Sequence, residues 1–415
     1  MAKGHDEVVF LLPGFLGFDK LNDFQYFVDR AGATLRTALW ARTGIDVPVI
    51  PLATLPTASL GQRQQFLQRR IGKYLGDDLL RGCRKVHLVG HSTGGVDAWL
   101  LLCGKPLATG QARREAAAFS GSWGAFAGIA DRIGSVVAIS APFYGAAITR
   151  SPALQLIGDF PEGLWQNRRG FQVLGQGLAA LGRHACLRNT GPFDLAINAL
   201  IDTRATGKMA QDVLGDRRLV DDLLPERMAE TMHQAPFPRD RTVTCFASVA
   251  PRPRMPGHHH RCRESLYRVC YDEIRRAGEQ GFATQVLRNL ERLNGETGEI
   301  PGVIGDPMET PGPLAITDND GIVNTGAMIP AKGGVLAAVV HGDHADVIGH
   351  YDRDRDDRHP MGHKVKADTG LLDSGSGFED DAFFQLYRAV ADVIRPGPGA
   401  TVASSPAKRG APRPR

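Results

Sequence analysis

The chain has 415 residues, of which 42% are hydrophobic and 23% are charged, values that are typical of a globular protein. This composition excludes a disordered, collagen-like, coiled-coil or disulfide-dense protein, and the length allows one large decorated domain as readily as two. The net charge of +4 comes from four basic residues in the last eight positions, since the rest of the chain carries 45 basic and 45 acidic residues. Because nucleic-acid binding normally needs a concentrated basic face, we expect no nucleic-acid partner.

The first 145 residues alternate short β-branched runs with longer amphipathic patterns, which predicts an α/β fold with a mostly parallel sheet and helices on both faces. Strands are predicted over residues 8–12, 47–52, 86–89 and 136–139. Helices are predicted from Asn22 or Asp23 to Gly44, then over 60–79 and 95–103, and near 111–130. These elements form the first part of the predicted core.

The regular alternation ends at residue 145. Residues 146–240 are irregularly helical, contain many Gly and Pro residues, and carry apolar side chains such as Phe160, Leu164 and Trp165, which predicts an inserted helical cap or lid. The core resumes over 241–395, with a more polar insertion at about 251–315. Its remaining predicted elements are strands over 243–249, 313–317 and 335–340, and a helix over 378–394. Residues 396–415 are rich in Pro, Gly, Ala and Ser and predict a disordered basic tail.

A GxSxG segment, Gly90 to Gly94, follows one predicted strand and opens a predicted helix. This is the context of a nucleophile elbow, in which a sharp turn presents a serine at the carboxyl edge of the sheet. The serine takes an unfavourable backbone conformation and neighbouring backbone comes close, so Gly90 and Gly94 must lack a Cβ. The segment therefore predicts that Ser92 is a nucleophile.

A serine hydroxyl needs a base, and the base needs an orienting acid. In this fold the partners follow the serine in the order acid, then histidine. Asp320 lies in a turn-like segment, and His344 lies just past the strand predicted at 335–340. Asp320 could instead shape an Asx turn and His344 could be a surface histidine, with Asp318 and His341 as the nearest substitutes. Position and order favour Asp320 and His344.

An oxyanion hole requires two backbone N–H groups directed at the attacked carbonyl oxygen. The N–H of Thr93, directly after the serine, is the first candidate. The second is the N–H of Phe15, in the glycine-bearing turn that ends the first strand at Leu12 to Gly17. The alternative is that this turn simply leaves the strand.

These segments together resemble the bacterial lipase and esterase branch of the α/β-hydrolases. The elbow is Gly90–Gly95, the oxyanion turn is Pro13–Gly17, the acid segment is Asn319–Val323 and the histidine segment is His344–Asp346. The resemblance covers about 8–145 and 241–350, but not the two insertions. Pro13 stands where these lipases commonly carry histidine, and Phe143 also replaces a usual histidine.

The resemblance implies a serine carboxylester hydrolase, lipase-like, with an ester or lipid as substrate and transient contact with a lipid interface. No cofactor is expected. The resemblance leaves open a calcium ion at Asp346, although one carboxylate is not a calcium site. His258, His259 and His260 are adjacent, whereas a structural zinc site needs spaced ligands, so a flexible loop is favoured there.

Two other functions remain open from the sequence. An acyltransferase would use the same acyl-enzyme and pass the acyl group to an alcohol or lipid. A lipid- or protein-binding protein with a decayed site would need none of the triad, and the presence of every required residue counts against it.

The location of the protein is predicted from three absences. Residues 1–8 are polar and show no secretory signal, and no run approaches the roughly 20 apolar residues of a membrane span. The six cysteines form no CxxC pair, as in reduced proteins, although a bridge between Cys262 and Cys270 remains possible. We therefore expect a cytoplasmic protein.

Overall fold

A computed structural model describes residues 5–15, 17, 20–21, 24–78, 80–103, 128–150, 218–253, 265–278, 283–298, 301–307, 313–351, 372 and 374–396. The strands are β1 (Glu7–Leu12), β2 (Lys20–Leu21), β3 (Phe24–Gln25), β4 (Val49–Pro51), β5 (Lys85–His91), β6 (Ile133–Ile139), β7 (Val243–Val249), β8 (Gly302–Ile304) and β9 (Gly334–His341). The helices are α1 (Asp29–Thr43), α2 (Leu60–Gly76), α3 (Thr93–Cys103), α4 (Arg218–Asp222), α5 (Pro225–Gln234), α6 (Ser265–Gly278), α7 (Thr284–Leu293) and α8 (Asp380–Ile394).

The main sheet has seven strands, all parallel, in the order β4-β1-β5-β6-β7-β9-β8. Side chains of β1 alternate between its two faces, because successive residues of a strand point in opposite directions. Val8, Phe10 and Leu12 join the apolar cluster of α2 and α3, whereas Val9 and Leu11 join the cluster of α1 and α8. The sheet is therefore buried on both sides, as predicted for an α/β fold.

The first helix differs from its prediction, since α1 begins at Asp29 and not near residue 23. Phe24 and Gln25 form a short strand with Lys20 and Leu21, and the side-chain Oε1 of Gln25 accepts a hydrogen bond from the N–H of Asp29. Phe27, just before Asp29, continues the helical spacing but packs against His91. The predicted end at Gly44 is confirmed.

The predicted strand over 313–317 is also wrong, because these residues form a turn. The carboxylate of Asp318 accepts a hydrogen bond from the N–H of Ala315 and closes that turn. Edge strand β8, within the range predicted as a polar insertion, was not predicted and pairs with β9. A three-residue strand is too short to leave a clear alternation in the sequence.

The first strand and the last helix are joined on one side of the sheet. Helix α1 packs on α8, and Leu35 and Leu39 share an apolar cluster with Phe383 and Tyr387. Arg395, just after α8, donates hydrogen bonds to the carboxylate of Glu7 in β1 at 2.9 and 2.7 Å. Elements distant in the chain thus close one side of the core.

Several predictions concern residues outside the described ranges and stay predictions. They are the helix near 111–130, the cap side chains Phe160, Leu164 and Trp165, the histidines 258–260, and all but the first residue of the tail at 396–415. Among the described cysteines, Cys83, Cys103, Cys245 and Cys270 are free thiols. Within the described helices, none is long and apolar enough to span a bilayer.

Candidate active site

The predicted elbow lies between β5, which ends at His91, and α3, which begins at Thr93. Ser92 has φ 54°, in the left-handed region that costs an L-residue roughly 1–2 kcal/mol. A Cβ on Gly90 would lie 2.1 Å from the carbonyl oxygen of Gly94, and one on Gly94 would lie 2.1 Å from that of Leu12. The turn is this tight only because both positions are glycine.

The predicted base and acid are hydrogen-bonded to each other. Nδ1 of His344 lies 2.7 Å from Oδ2 of Asp320, and the backbone N–H of His344 donates to the carbonyl oxygen of Asp320 at 2.9 Å. Because an ionised carboxylate can only accept, the proton of the ring lies on Nδ1. The Nε2 lone pair of His344 is then free to take a proton.

Asp320 is fully buried and is surrounded by hydrogen-bond donors. Its Oδ1 accepts from the backbone N–H groups of Ile322 and Val323 at 3.0 and 2.8 Å, which is the Asx-turn geometry. Its Oδ2 accepts from the hydroxyl of Ser248 at 2.6 Å. Ser248 has one proton, so the 2.7 Å contact between its Oγ and that of Ser140 is a hydrogen bond donated by Ser140. Asp320 therefore closes an Asx turn with Oδ1 and contacts His344 with Oδ2.

The substitute acid, Asp318, is held by other partners. Nε and Nη2 of Arg252 donate to its two carboxylate oxygens at 2.7 Å each, and the hydroxyl of Tyr271 donates to Oδ1 at 3.0 Å. These contacts join Asp318 to β7 and α6, away from His344. The substitute base, His341, ends β9, and burial lowers the pKa of its imidazole, partly offset by Asp306.

The loop that carries His344 is shaped by two reciprocal aspartates. Oδ1 of Asp343 accepts from the N–H groups of Ala345 and Asp346 at 2.9 and 3.0 Å, while Oδ2 of Asp346 accepts from the N–H of Asp343 at 2.8 Å. These reciprocal hydrogen bonds close the turn from Asp343 to Asp346, directly before and at the start of a one-turn helix. Ser376 also donates to Oδ2 of Asp346 at 2.7 Å. The residue for which calcium was left open therefore already has donors on one carboxylate oxygen.

The predicted oxyanion turn leaves the sheet beside the elbow. Strands β1 and β5 pair in parallel with Leu12 opposite Gly90, so the segments after them emerge at the same edge. A Cβ on Gly14 would lie 3.0 Å from Oγ of Ser92, which places the serine hydroxyl against the turn that contains Phe15. Thr93 is the first residue of α3, where helical N–H groups have no intrahelical partner. Among the described residues, a hydrogen bond joins His344 to Asp320, but none joins Ser92 to His344.

A buried ion pair contacts the oxyanion turn at Pro13. Arg63 of α2 and Asp97 of α3 are both fully buried, and Nε and Nη2 of Arg63 lie 2.9 and 2.6 Å from Oδ2 of Asp97. Arg63 also donates to the carbonyl oxygens of Leu55 and Pro13, at 2.5 and 3.1 Å. Burial raises the pKa of Asp97, and Arg63 opposes that rise. The sequence analysis missed this pair, because an Arg in an amphipathic helix ordinarily faces solvent.

The likeness of this chain to known proteins is one of structure and not of sequence. No family model matches the chain, and no curated protein matches its sequence. Among solved structures, the chain is similar to lipase 1 from Pelosinus fermentans, with 13% identity, a TM-score of 0.48, and 94% of this chain and 98% of that chain covered. It is also similar to the Staphylococcus hyicus lipase, with 15% identity, a TM-score of 0.46, and 94% and 95% covered. EstA from Clostridium botulinum shows 16% identity, a TM-score of 0.46, and 94% and 88% covered.

The parallel sheet and its order, with helices on both faces and a strand–serine–helix turn after β5, define an α/β-hydrolase fold. The predicted fold class is confirmed. The roles of individual residues do not follow from the fold, because one fold carries many functions.

Proposed function

We propose that the chain is a serine carboxylester hydrolase with Ser92 as nucleophile, His344 as base and Asp320 as the orienting acid. The observation that carries this proposal is the buried 2.7 Å contact between Nδ1 of His344 and Oδ2 of Asp320. It leaves Nε2 of the imidazole as an acceptor, beside an elbow whose serine is held at positive φ. A strained residue of this kind persists only where the surrounding structure holds it, and such residues cluster at active sites.

The first half of the reaction acylates the serine. Oγ of Ser92 attacks the ester carbonyl carbon while Nε2 of His344 takes the hydroxyl proton, and Asp320 stabilises the imidazolium. The oxyanion that forms accepts hydrogen bonds from the N–H groups of Phe15 and Thr93. His344 then gives its proton to the leaving alcohol.

The second half releases the acid. A water molecule transfers a proton to His344 and attacks the acyl carbonyl. As the tetrahedral intermediate collapses, His344 gives that proton to Oγ of Ser92, which leaves as a free hydroxyl, and the carboxylic acid is released. The site thus regenerates itself with no group beyond the chain and water.

A lid is the remaining part of the proposal. Residues 151–217 lie outside the described ranges, but the segments that flank them are hydrogen-bonded to each other, since the N–H of Ala146 donates to the carbonyl oxygen of Leu223 at 3.0 Å. The inserted segment therefore leaves and re-enters the core at one place, after β6. This is a position from which a cap can cover the carboxyl edge of the sheet.

The test is a series of nitrophenyl esters from short to long chains, combined with labelling by a fluorophosphonate. We expect the wild-type protein to hydrolyse esters and to become labelled, and Ser92→Ala to lose both because the nucleophilic oxygen is gone. Ser92→Gly serves as a second inactive variant that tolerates positive φ. Ser135→Ala, in β6, is the matched control and should keep full activity. Unchanged turnover in a folded Ser92→Ala protein would remove the proposal.

A further inference from the structure

Three separate chain segments must be held in register for this reaction. The oxyanion turn at Gly14 and Phe15 follows β1, the elbow follows β5, and the histidine loop follows β9. An error of about 1 Å between such segments can cost roughly a hundredfold in rate. Tyr26, which lies just before α1 and is 8% exposed, contacts the first two of these segments and links them to the third.

The direction of each hydrogen bond follows from the acceptor at its end. Nε2 of His91 lies 2.9 Å from the carbonyl oxygen of His344, and a carbonyl can only accept, so Nε2 carries a proton. Burial holds the pKa of His91 well below its usual range, so the ring is neutral and its Nδ1 is an acceptor. The hydroxyl of Tyr26, 2.8 Å from Nδ1, therefore donates to it.

The same hydroxyl receives a hydrogen bond from the oxyanion turn. The backbone N–H of Gly14 donates to the Tyr26 oxygen. A Cβ on Gly14 would lie 2.5 Å from this oxygen and also 2.5 Å from the Cβ of Ser92. Gly14 of the oxyanion turn thus packs against both Tyr26 and Ser92.

The backbone around Tyr26 makes a second connection to the histidine loop. Nε2 of His350 lies 2.9 Å from the carbonyl oxygen of Gln25 and 3.1 Å from that of Tyr26. The N–H of Val28 donates to the carbonyl oxygen of Ile348 at 3.3 Å. The segment from Gln25 to Val28 is therefore attached to the histidine loop by its backbone as well as through His91.

We propose that Tyr26 is a positioning residue whose hydroxyl fixes the oxyanion turn, the elbow and the histidine loop relative to one another. The link runs from the N–H of Gly14 to the Tyr26 hydroxyl, from that hydroxyl to His91, and from His91 to the carbonyl of His344. This inference rests on the proposed ester hydrolysis. Without the hydroxyl, Gly14 loses its acceptor and Nδ1 of His91 loses its donor.

The experiment compares Tyr26→Phe with wild type by steady-state kinetics on a short-chain nitrophenyl ester and by 15N NMR of histidine-labelled protein. Misplacing a catalytic group by about 1 Å can cost roughly 100-fold in rate, so a loss of about 10- to 100-fold is expected here. We expect kcat to fall by about that factor while KM changes less than about twofold, because the position of the catalytic groups affects the transition state and not the binding of the substrate in its ground state. The nitrogen shifts of His91 should show a neutral ring protonated on Nε2 in wild type, and a changed ring in Tyr26→Phe.

Two further variants keep the inference falsifiable. Tyr387→Phe removes another buried tyrosine hydroxyl, which donates to the carbonyl oxygen of Val347 at 3.2 Å, and should leave kcat and the His91 shifts unchanged. His91→Phe keeps an aromatic ring at this place but has neither ring nitrogen, so it breaks the link at its middle. It should lose kcat as Tyr26→Phe does, and it tests the inference independently of that variant.

The outcomes separate this inference from the proposed function. Wild-type kcat in Tyr26→Phe or in His91→Phe would overturn the inference, and so would an equal loss in Tyr387→Phe. A wild-type protein that hydrolyses no ester would contradict the proposed function. The nitrogen shifts would then still decide the link, because an unchanged His91 ring in Tyr26→Phe overturns it and an altered ring supports it.

Discussion

At the scale of single residues, two aspartates two positions apart have different surroundings. Asp320 accepts from Nδ1 of His344, whereas Asp318 accepts from the guanidinium of Arg252 and the hydroxyl of Tyr271. Both side chains are buried, so burial alone does not separate them. Their hydrogen-bond partners differ, so we expect a substitution of Asp320 and a substitution of Asp318 to have different effects.

Asp320→Asn should lower kcat by roughly 10⁴-fold, the effect of the equivalent change in a serine protease triad, because an amide at this place favours the wrong imidazole tautomer. Asp318→Asn should instead lower the free energy of unfolding, by about 1–3 kcal/mol, because it removes a charged partner of Arg252. Nitrophenyl ester kinetics and urea denaturation of both variants measure the two effects. A large loss of kcat confined to Asp318→Asn would move the acid assignment by two positions.

At the scale of elements, the buried pair of Arg63 and Asp97 joins α2 to α3 and supports the turn after β1. Removing one partner of a buried ion pair typically costs about 3–5 kcal/mol, because the other charge stays buried and unpaired. Replacing both partners with apolar side chains is often close to neutral.

Arg63→Met should therefore destabilise the protein by about 3–5 kcal/mol, and the double variant Arg63→Met/Asp97→Leu should recover much of that loss. Urea denaturation measures both. Arg36→Met, which breaks an exposed pair with Asp46, is the control and should cost less than about 1 kcal/mol. If the single and double variants were equally unstable, the pair would contribute by packing and not by charge.

The elements also show which parts of the structure the sequence could predict. Strand β5, the elbow and α3 follow from local signals, namely a buried apolar run, two glycines and a helical pattern in direct succession. The start of α1 does not, because Phe27 fits the helical spacing but packs, with Tyr26, against His91, which is distant in the chain. The contacts of His91 could not be predicted either, because His91 occupies a variable position of the GxSxG motif.

At the scale of the whole molecule, several buried histidines couple folding to pH. Burial lowers the pKa of His87, in β5, to about 4, against a partial rise from Glu7. His91, His341 and His350 are shifted in the same direction, each chiefly by burial. The unfolded chain then binds more protons than the folded chain between about pH 4 and 6.5, so stability rises with pH across that window. Asp343, whose pKa burial raises to about 6, acts in the opposite sense.

His87→Gln isolates one of these contributions. From pH 7 to pH 5 the wild-type protein should lose about 2 kcal/mol of unfolding free energy through this residue alone, at 1.36 kcal/mol per proton and pH unit. The variant should lose that much less over the same interval. Urea denaturation at the two pH values measures the difference, and identical losses in the two proteins would contradict the role of His87.

The contact of α1 with α8, and the bond between Glu7 and Arg395, have a consequence for synthesis on the ribosome. Ser92 is made early, yet its base belongs to the loop after β9, and α8 covers the face that α1 leaves open. Contacts between such distant positions form late, because the entropy cost of closing a long loop precedes the stabilisation from the contacts that the closed loop allows. Under the proposed mechanism, a nascent chain that has released the elbow but not β9 holds a nucleophile without a base. It could then not act before translation has passed residue 344.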